Sequence, residues 1–169
     1  GIEEIAVSGG RGDDRIDGSD LTNTLLVSAS GGRGGDGIMP GPQATLPPAL
    51  GPLEHHDGGP GIDQLTYFRN SRVVIDLTLG HAGLDANGDC DVMDPGDERD
   101  IIEGFEVFQT GSGDDCLIGG DENGAFFSSD GNDVVMSGAG SDLVLGGGGA
   151  DLIDGGRGGD ALRGFGGDD

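Results

Sequence analysis

The sequence predicts an almost entirely β fold made of short stacked repeats. A nine-residue period runs without a slip from Thr110 to Asp169, and a fixed period of this kind is typical of solenoid architectures. Between Val73 and Leu79 every second residue is apolar, which is the pattern of a strand with one buried face. No segment has convincing helical periodicity. The chain is therefore expected to build its core by stacking coils on one another.

The composition favours a chain that folds around divalent cations. The 169 residues include 39 glycines and 7 prolines, and only 33% are apolar, which alone would indicate disorder. The 32 acidic residues against 8 basic ones leave a net charge of −24, and 25 of the acids are aspartates. Carboxylates on short side chains suit hard cations, so order is expected to come from charge neutralisation.

The same charge excludes other partners. A chain this acidic does not bind nucleic acid through phosphate contacts, and anionic membrane surfaces repel it. No apolar run approaches the roughly 20 residues that span a bilayer, so this segment is not expected to insert into a membrane.

The repeat keeps two columns of residues. Each block from Thr110 carries an acid at its sixth position, except where Gly124 stands. The eighth position is always apolar, and its members are Leu117, Phe126, Val135, Val144, Ile153 and Leu162. Since the sixth residue is in the turn and the eighth in the following strand, the pattern predicts carboxylates at the turns and a thin, ladder-like core one residue wide.

Less regular copies of the block occur earlier in the chain. Residues 9–17 read GGRGDDRID, and residues 18–26 form a degenerate copy with Asn23 in the acid column. Four extra residues, 27–30, precede the block GGRGGDGIM, and residues 58–66 read GGPGIDQLT. The four predicted regions are therefore a first repeat block (1–39), a proline-rich excursion (40–57), one repeat followed by non-repeat strands and an acidic loop (58–109), and the regular array (110–169).

These blocks fit the nonapeptide G-G-x-G-x-D-x-U-x, in which U is a large apolar residue. The chain thus resembles the RTX (repeats-in-toxin) family of secreted calcium-binding proteins. The resemblance implies a parallel β-roll in which six residues form a turn, three form a short strand, and two nonapeptides complete an 18-residue coil. It also implies secretion and calcium ions held between stacked turns by carboxylates and loop carbonyls.

The predicted calcium ligands follow from that resemblance. The side-chain ligands are Asp14, Asn23, Asp36, Asp63, Asp115, Asp133, Asp142, Asp151, Asp160 and Asp169. The carbonyl ligands are Gly10, Gly12, Gly32, Gly34, Gly59, Gly61, Gly111, Gly113, Gly131, Gly138, Gly140, Gly147, Gly149, Gly156 and Gly158. With an 18-residue coil, the acids from Asp115 to Asp169 alternate between two edges of the roll. The site at Gly124 is expected to be weak, or to be rescued by Asp121 or Glu122.

A second acidic cluster lies outside the repeats. Asp85, Asn87, Asp89 and Asp91 place oxygen donors at alternate positions, as at the start of an EF-hand loop. The match then fails, because Cys90 stands at the sixth position and Gly96 at the twelfth. We expect a calcium loop of another kind, with a merely solvated acidic loop as the alternative.

The histidines and cysteines leave alternatives open. Residues 54–57, EHHD, could hold a transition metal, since imidazole suits zinc or copper; the alternative is two exposed histidines in a proline-rich loop. Cys90 and Cys116 could form a disulfide in an extracellular setting, or remain free thiols. Cys116 occupies the seventh position of its repeat and is expected to face outward.

No catalytic motif is present in the sequence, and the glycines are all explained by the repeat, so the chain is not expected to be an enzyme. Three functions remain open. The first is a calcium-binding structural module of a larger secreted polypeptide, as the unfinished repeat at Asp169 indicates. The second is a repeat unit of a cell-surface adhesin or extracellular assembly, with self-association or a surface ligand. The third is an accessory domain of a secreted hydrolase or epimerase.

Overall fold

The computed structural model of the chain describes residues 3–19, 25–41, 54–93 and 97–169. Over these ranges it has 18 β-strands and no helix. The described residues therefore contain no helical membrane span. In chain order the strands are β1 (Glu3–Arg11), β2 (Arg15–Asp17), β3 (Leu25–Arg33), β4 (Gly37–Met39), β5 (Glu54–Asp57), β6 (Gln64–Tyr67), β7 (Val73–Asp76), β8 (His81–Leu84), β9 (Asp100–Glu103), β10 (Val107–Thr110), β11 (Cys116–Ile118), β12 (Ala125–Phe127), β13 (Val134–Met136), β14 (Ala139–Gly140), β15 (Leu143–Gly148), β16 (Leu152–Asp154), β17 (Arg157–Gly158) and β18 (Ala161–Gly166).

The strands form two main sheets. The nine-stranded sheet has the order β1-β3-β5-β9-β8-β7-β11-β13-β16, and the seven-stranded sheet has the order β18-β15-β12-β10-β6-β4-β2. In the regular array the chain passes from one sheet to the other at every turn. There each strand pairs in parallel with the strand one coil away, as Cys116 does with Val134 and Ala125 with Leu143. The fold is therefore the expected parallel β-roll.

The two repeat blocks belong to the same two sheets. The seven-stranded sheet continues from β10 through β6 and β4 to β2 with parallel pairing throughout. In the first coil, residues that pair between neighbouring strands are 22 positions apart, as Asp14 and Asp36 are, which equals an 18-residue coil plus the four extra residues. These extra residues lengthen a strand instead of forming a loop, since β3 pairs with β1 from Leu25 to Arg33.

The non-repeat segment interrupts the parallel order. Strand β8 runs antiparallel to both β7 and β9. The strand expected from Val73 to Leu79 ends at Asp76, whose carboxylate accepts hydrogen bonds from Thr78 and so closes a turn. All four residues of β7 are buried instead of alternating, and Leu79 is 56% exposed.

The second strand expected outside the repeats, residues 101–108, is divided into β9 and β10. Gly104 lies between them with φ +69°, a conformation that favours glycine. This bend separates the strands into different sheets, because β9 pairs in the nine-stranded sheet and β10 in the seven-stranded one.

The core follows the eighth position of the repeat. Leu117, Phe126, Val135 and Val144 are almost fully buried, and Phe126 stacks on Phe108 with ring centroids 5.4 Å apart. The pattern weakens at the outermost coil, where Leu162 on β18 is 44% exposed. In the described part of the chain, β18 is an edge strand of the seven-stranded sheet.

Cys90 and Cys116 form a disulfide, with their Cα atoms 5.7 Å apart. Cys116 lies outside the main core cluster, as its outward-facing position predicts, but it is not exposed to solvent. It is fully buried in a small second cluster with Val74 and Val92. The acidic loop that follows β8 covers this outer face of the nine-stranded sheet.

The segment Glu54–Asp57 is strand β5 and lies between β3 and β9. The alternative of two exposed histidines therefore fails for His56, which is 1% exposed, whereas His55 faces outward. The reason is the alternation of side chains along a strand. The prolines that suggested a loop lie mostly outside the described residues.

Candidate calcium-binding edges of the roll

One edge of the roll carries a ladder of acids that we call the first acid ladder: Asp115, Asp133, Asp151 and Asp169. Each carboxylate accepts a hydrogen bond from the backbone N–H of the acid one coil before it, at 2.8 Å for Asp133, 3.0 Å for Asp151 and 3.2 Å for Asp169. Asp115 in turn accepts the N–H of Val73 at 2.8 Å. The ladder thus ties the array to the non-repeat segment.

The other edge carries a longer ladder, the second acid ladder. Its members are Asp14, Asp36, Asp63, Glu106, Asp142 and Asp160, and Gly124 occupies the position between Glu106 and Asp142. Asp36 accepts the N–H of Asp14 and Asp63 accepts that of Asp36, both at 2.7 Å. Asp142 accepts the N–H of Gly124 at 2.8 Å, and Asp160 accepts that of Asp142 at 3.1 Å. The edge on which the regular array places Asp142 and Asp160 therefore continues into the first repeat block.

Glu106 is the ladder member that sequence reasoning missed. Its carboxylate accepts the N–H of Asp63 at 2.9 Å, although the two residues are 43 positions apart. A signal was present in the sequence, because Glu106 stands two residues before the buried Phe108, as Asp63 stands two before the buried Leu65. The missing glycines around Glu106 hid this similarity to a repeat.

Gly124 leaves a gap next to Glu106. The two acids expected to rescue this position, Asp121 and Glu122, are exposed. Both line one cavity together with Glu106 and Gly124. The ladder acids on either side of Gly124 are Glu106, one coil before it, and Asp142, one coil after it. The rescue by Asp121 or Glu122 stays a prediction.

The second carboxylate oxygen of most ladder acids is buried and has no hydrogen-bond partner in the described part of the chain. These oxygens are the Oδ2 atoms of Asp14, Asp36, Asp63, Asp115, Asp133, Asp142 and Asp151. Buried polar groups normally have partners, and a buried charge without a partner is costly. In all of these acids except Asp14, the other oxygen accepts a backbone N–H from a neighbouring coil, so that one oxygen joins the coils and the buried one can bind a cation. This donor set fits calcium, which takes carboxylate and carbonyl oxygens.

The charges on these acids are costly when no cation neutralises them. Burial, together with the charge of a neighbouring ladder acid, raises the pKa of Asp115 to about 7 and the pKa of Asp133 to about 6. Burial also raises the pKa of Asp63. A raised pKa means that the charged form of the carboxylate is disfavoured in the fold. A bound divalent cation would stabilise the charged form and lower the pKa again.

The predicted carbonyl ligands lie between the strands or near strand ends; those within strands are Gly10, Gly32, Gly140, Gly147 and Gly158. Those with positive φ are Gly10, Gly12, Gly32, Gly34, Gly59, Gly131, Gly138, Gly140, Gly147, Gly149, Gly156 and Gly158, whereas Gly61, Gly111 and Gly113 have none. At Gly158 the need for glycine is twofold. Its φ is +137°, and a Cβ there would lie 1.4 Å from the carbonyl oxygen of Gly140 in the coil before. The turns thus stack backbone on backbone.

A second set of side chains, at the fifth position of the repeat, was not predicted. Asp114 accepts the N–H of Asn132 at 2.8 Å, and Asn132 accepts that of Ala150 at 2.9 Å. Asn123 likewise accepts the N–H of Ser141 at 2.7 Å. At the fifth position the side chain accepts the N–H of the following coil, whereas at the sixth position it accepts the N–H of the preceding coil. The turns that carry these residues are therefore joined by side-chain hydrogen bonds in both directions.

The Asp85 loop is organised by its own hydrogen bonds. Asp85 is buried, and its carboxylate accepts N–H groups from Asn87, Gly88 and Cys90 and lies 3.3 Å from the Arg72 guanidinium. Asn87 and Asp89 are exposed, and Asp91 is half-buried. The structure brings these four residues into one loop, and calcium binding there stays a prediction. Asn23 lies outside the described residues.

These features define a class of protein: a repeat β-roll whose turns present buried carboxylates to cations. A family model for the RTX calcium-binding nonapeptide repeat matches four segments, residues 7–25, 103–124, 127–162 and 145–169. The chain belongs to this calcium-binding repeat family, as its nonapeptides indicated. A search of curated proteins found no match.

Proposed function

We propose that the chain is a calcium-dependent structural module of a larger secreted protein and folds outside the cell when it binds calcium. The observation that carries this proposal is the set of buried Oδ2 atoms along both acid ladders that have no hydrogen-bond partner among the described residues. Without a cation the folded chain would hold these carboxylates close together against a net charge of −24. The binding free energy of calcium is therefore folding free energy.

The two acid ladders supply the side-chain ligands in this proposal, and the glycine carbonyls of the adjoining turns supply the rest. Calcium would neutralise the acids when bound. The protein's own residues align the coils through the hydrogen bonds of the sixth position and let the turns approach closely through glycine. The module has no catalytic role in this proposal.

One feature of the structure supports an extracellular setting. The disulfide between Cys90 and Cys116 is typical of proteins in an oxidising compartment. Extracellular modules also use calcium sites with weak affinity, with Kd values of roughly 10⁻⁴ to 10⁻³ M. Such sites would stay empty at the low calcium concentration of a cytosol.

The test is circular dichroism of the 169-residue chain with its disulfide intact. In excess chelator the chain is expected to be expanded and largely unstructured, and millimolar calcium should produce the β signal cooperatively. Magnesium at the same concentration is the control and should not substitute, since it demands tighter octahedral geometry. A β spectrum in excess chelator would refute calcium-dependent folding.

The adhesin and accessory-domain alternatives share the calcium-loaded fold and differ in what the fold contacts. Self-association of the calcium-loaded chain, measured by sedimentation velocity, would favour an extracellular assembly. A calcium-loaded monomer that stabilises a neighbouring catalytic domain would favour the accessory role.

A further inference from the structure

Three ionisable side chains meet in the interior, away from both acid ladders. Glu54 and His56 lie on β5, and Asp100 lies on the neighbouring strand β9. The parallel pairing of these strands sets Glu54 directly beside Asp100. His56 follows two residues after Glu54 and therefore faces the same side of the sheet. All three side chains are 1–2% exposed.

The distances within the cluster are those of ligands around one ion. Nε2 of His56 lies 3.5 Å from Oε2 of Glu54 and 3.9 Å from Oδ2 of Asp100. One ligand atom from each residue lies within 4.8 Å of the others. Zinc binds nitrogen and oxygen at about 2.0–2.2 Å, so the edges of its tetrahedron are about 3.4 Å long. The cluster needs little adjustment to hold such an ion.

The histidine provides the second, independent observation. Neither ring nitrogen of His56 has a hydrogen-bond partner among the described residues, although the side chain is buried. A protonated imidazole between two carboxylates would be expected to donate short hydrogen bonds of about 2.7–2.9 Å. The observed separations exceed these, whereas they suit two atoms bound to the same cation.

Tyr67 holds one of the carboxylates in place. Its hydroxyl donates a hydrogen bond to Oδ2 of Asp100 at 2.5 Å. Partners of this kind commonly orient the ligands of a metal site.

We propose that Glu54, His56 and Asp100 form a buried binding site for a first-row divalent transition metal, with zinc as the best fit. The imidazole nitrogen separates this site from the calcium ladders, because calcium takes oxygen ligands whereas imidazole suits zinc and its neighbours. The ion would fasten β5 to β9 and so join the end of the proline-rich segment to the non-repeat insertion. The proposal is independent of the calcium-dependent function.

The test is calorimetric titration of zinc chloride into the calcium-saturated chain, so that the acid ladders are already filled. His55 gives a matched control, because it is exposed on the same strand and contacts Glu103. The expected result is one zinc ion bound by the unaltered chain and by His55→Ala. Binding by His56→Gln should be weaker by about a hundredfold or more, since even outer partners of a metal site contribute 10- to 100-fold.

A second measurement covers the case in which His56→Gln does not fold. Long-range ¹H–¹⁵N spectra of the unaltered chain report each imidazole separately, and zinc should shift the ring nitrogens of His56 while those of His55 and His81 stay in place. Two results would overturn the proposal: equal zinc affinity in His56→Gln, or a His56 ring that stays doubly protonated and unmoved by zinc. The latter would identify the cluster as a buried ion pair.

Discussion

The carboxylate of Asp133 accepts the backbone N–H of Asp115 at 2.8 Å, one 18-residue coil away. Its other oxygen is buried and has no partner in the described structure. A single side chain thus aligns two coils and offers an oxygen to a cation. The consequence of removing an acid therefore depends on its place in the ladder.

Asp133→Ala is expected to raise the calcium concentration at the midpoint of folding more than Asp160→Ala does. Asp133 lies between two coils of the first acid ladder and is 1% exposed. Asp160 is only half-buried, and its one ladder contact is the 3.1 Å bond from Asp142. A hydrogen bond to a charged group contributes about 1.5–3 kcal/mol, to which the lost calcium ligand adds. The measurement is a calcium titration followed by circular dichroism.

Asp133→Asn separates the two effects, because the amide oxygen can still accept the N–H of Asp115 while the charge is lost. We expect an intermediate midpoint. If Asp160→Ala shifts the midpoint as far as Asp133→Ala, the ladder does not govern calcium-dependent folding.

Glu106→Gln is expected to raise the calcium midpoint, whereas Glu122→Gln should leave it unchanged. The Glu106 carboxylate accepts the N–H of Asp63 within the second acid ladder. Glu122 is exposed and lines the same cavity as Gly124, where the ladder lacks a carboxylate. The glutamine preserves the hydrogen bond to Asp63, so a loss would report the charge alone. The reverse ranking would show that Glu122 supplies the ligand missing at Gly124.

Gly158→Ala is expected to destabilise the calcium-loaded protein, and Gly159→Ala next to it should not. The Cβ added at Gly158 meets the backbone of Gly140, whereas at Gly159 the nearest atom is the Ser141 hydroxyl, 3.7 Å away. A non-glycine residue held in such a conformation costs on the order of 1–3 kcal/mol. Denaturant unfolding in saturating calcium measures the difference, and equal stability of the two variants would contradict the close stacking of these turns.

Cys90→Ser is expected to lower the free energy of unfolding of the calcium-loaded chain by about 3 kcal/mol, since the disulfide closes a 26-residue loop. It should also expose the cluster around Val74 to solvent. Thermal unfolding with and without reductant provides the check. Reductant should lower the midpoint of the unaltered chain and leave Cys90→Ser unaffected; an unaltered chain insensitive to reductant would argue against the disulfide.

The regular array was largely predictable because its structure is local. An acid at the sixth position and an apolar residue at the eighth recur every nine residues, and the strand pairs Cys116–Val134 and Ala125–Leu143 lie 18 residues apart as two such blocks require. The first repeat block was harder, since Asn23 marks a degenerate copy and the four residues from 27 to 30 alter the spacing. Even there the acids Asp14, Asp36 and Asp63 could be identified from their glycine-rich surroundings.

The sequence by itself determined the repeat, the buried apolar residues at its eighth position and most of the acids of both ladders. These features depend on turn geometry and strand alternation, which neighbouring residues set. Only the tertiary structure decided which coils stack across the irregular segments. The contact between Glu106 and Asp63, the burial of His56 beside Asp100 and the cover over Cys116 all join residues separated by 26 to 44 positions. No local pattern encodes such distances, since they depend on how much chain each insertion takes up before it returns to the sheet.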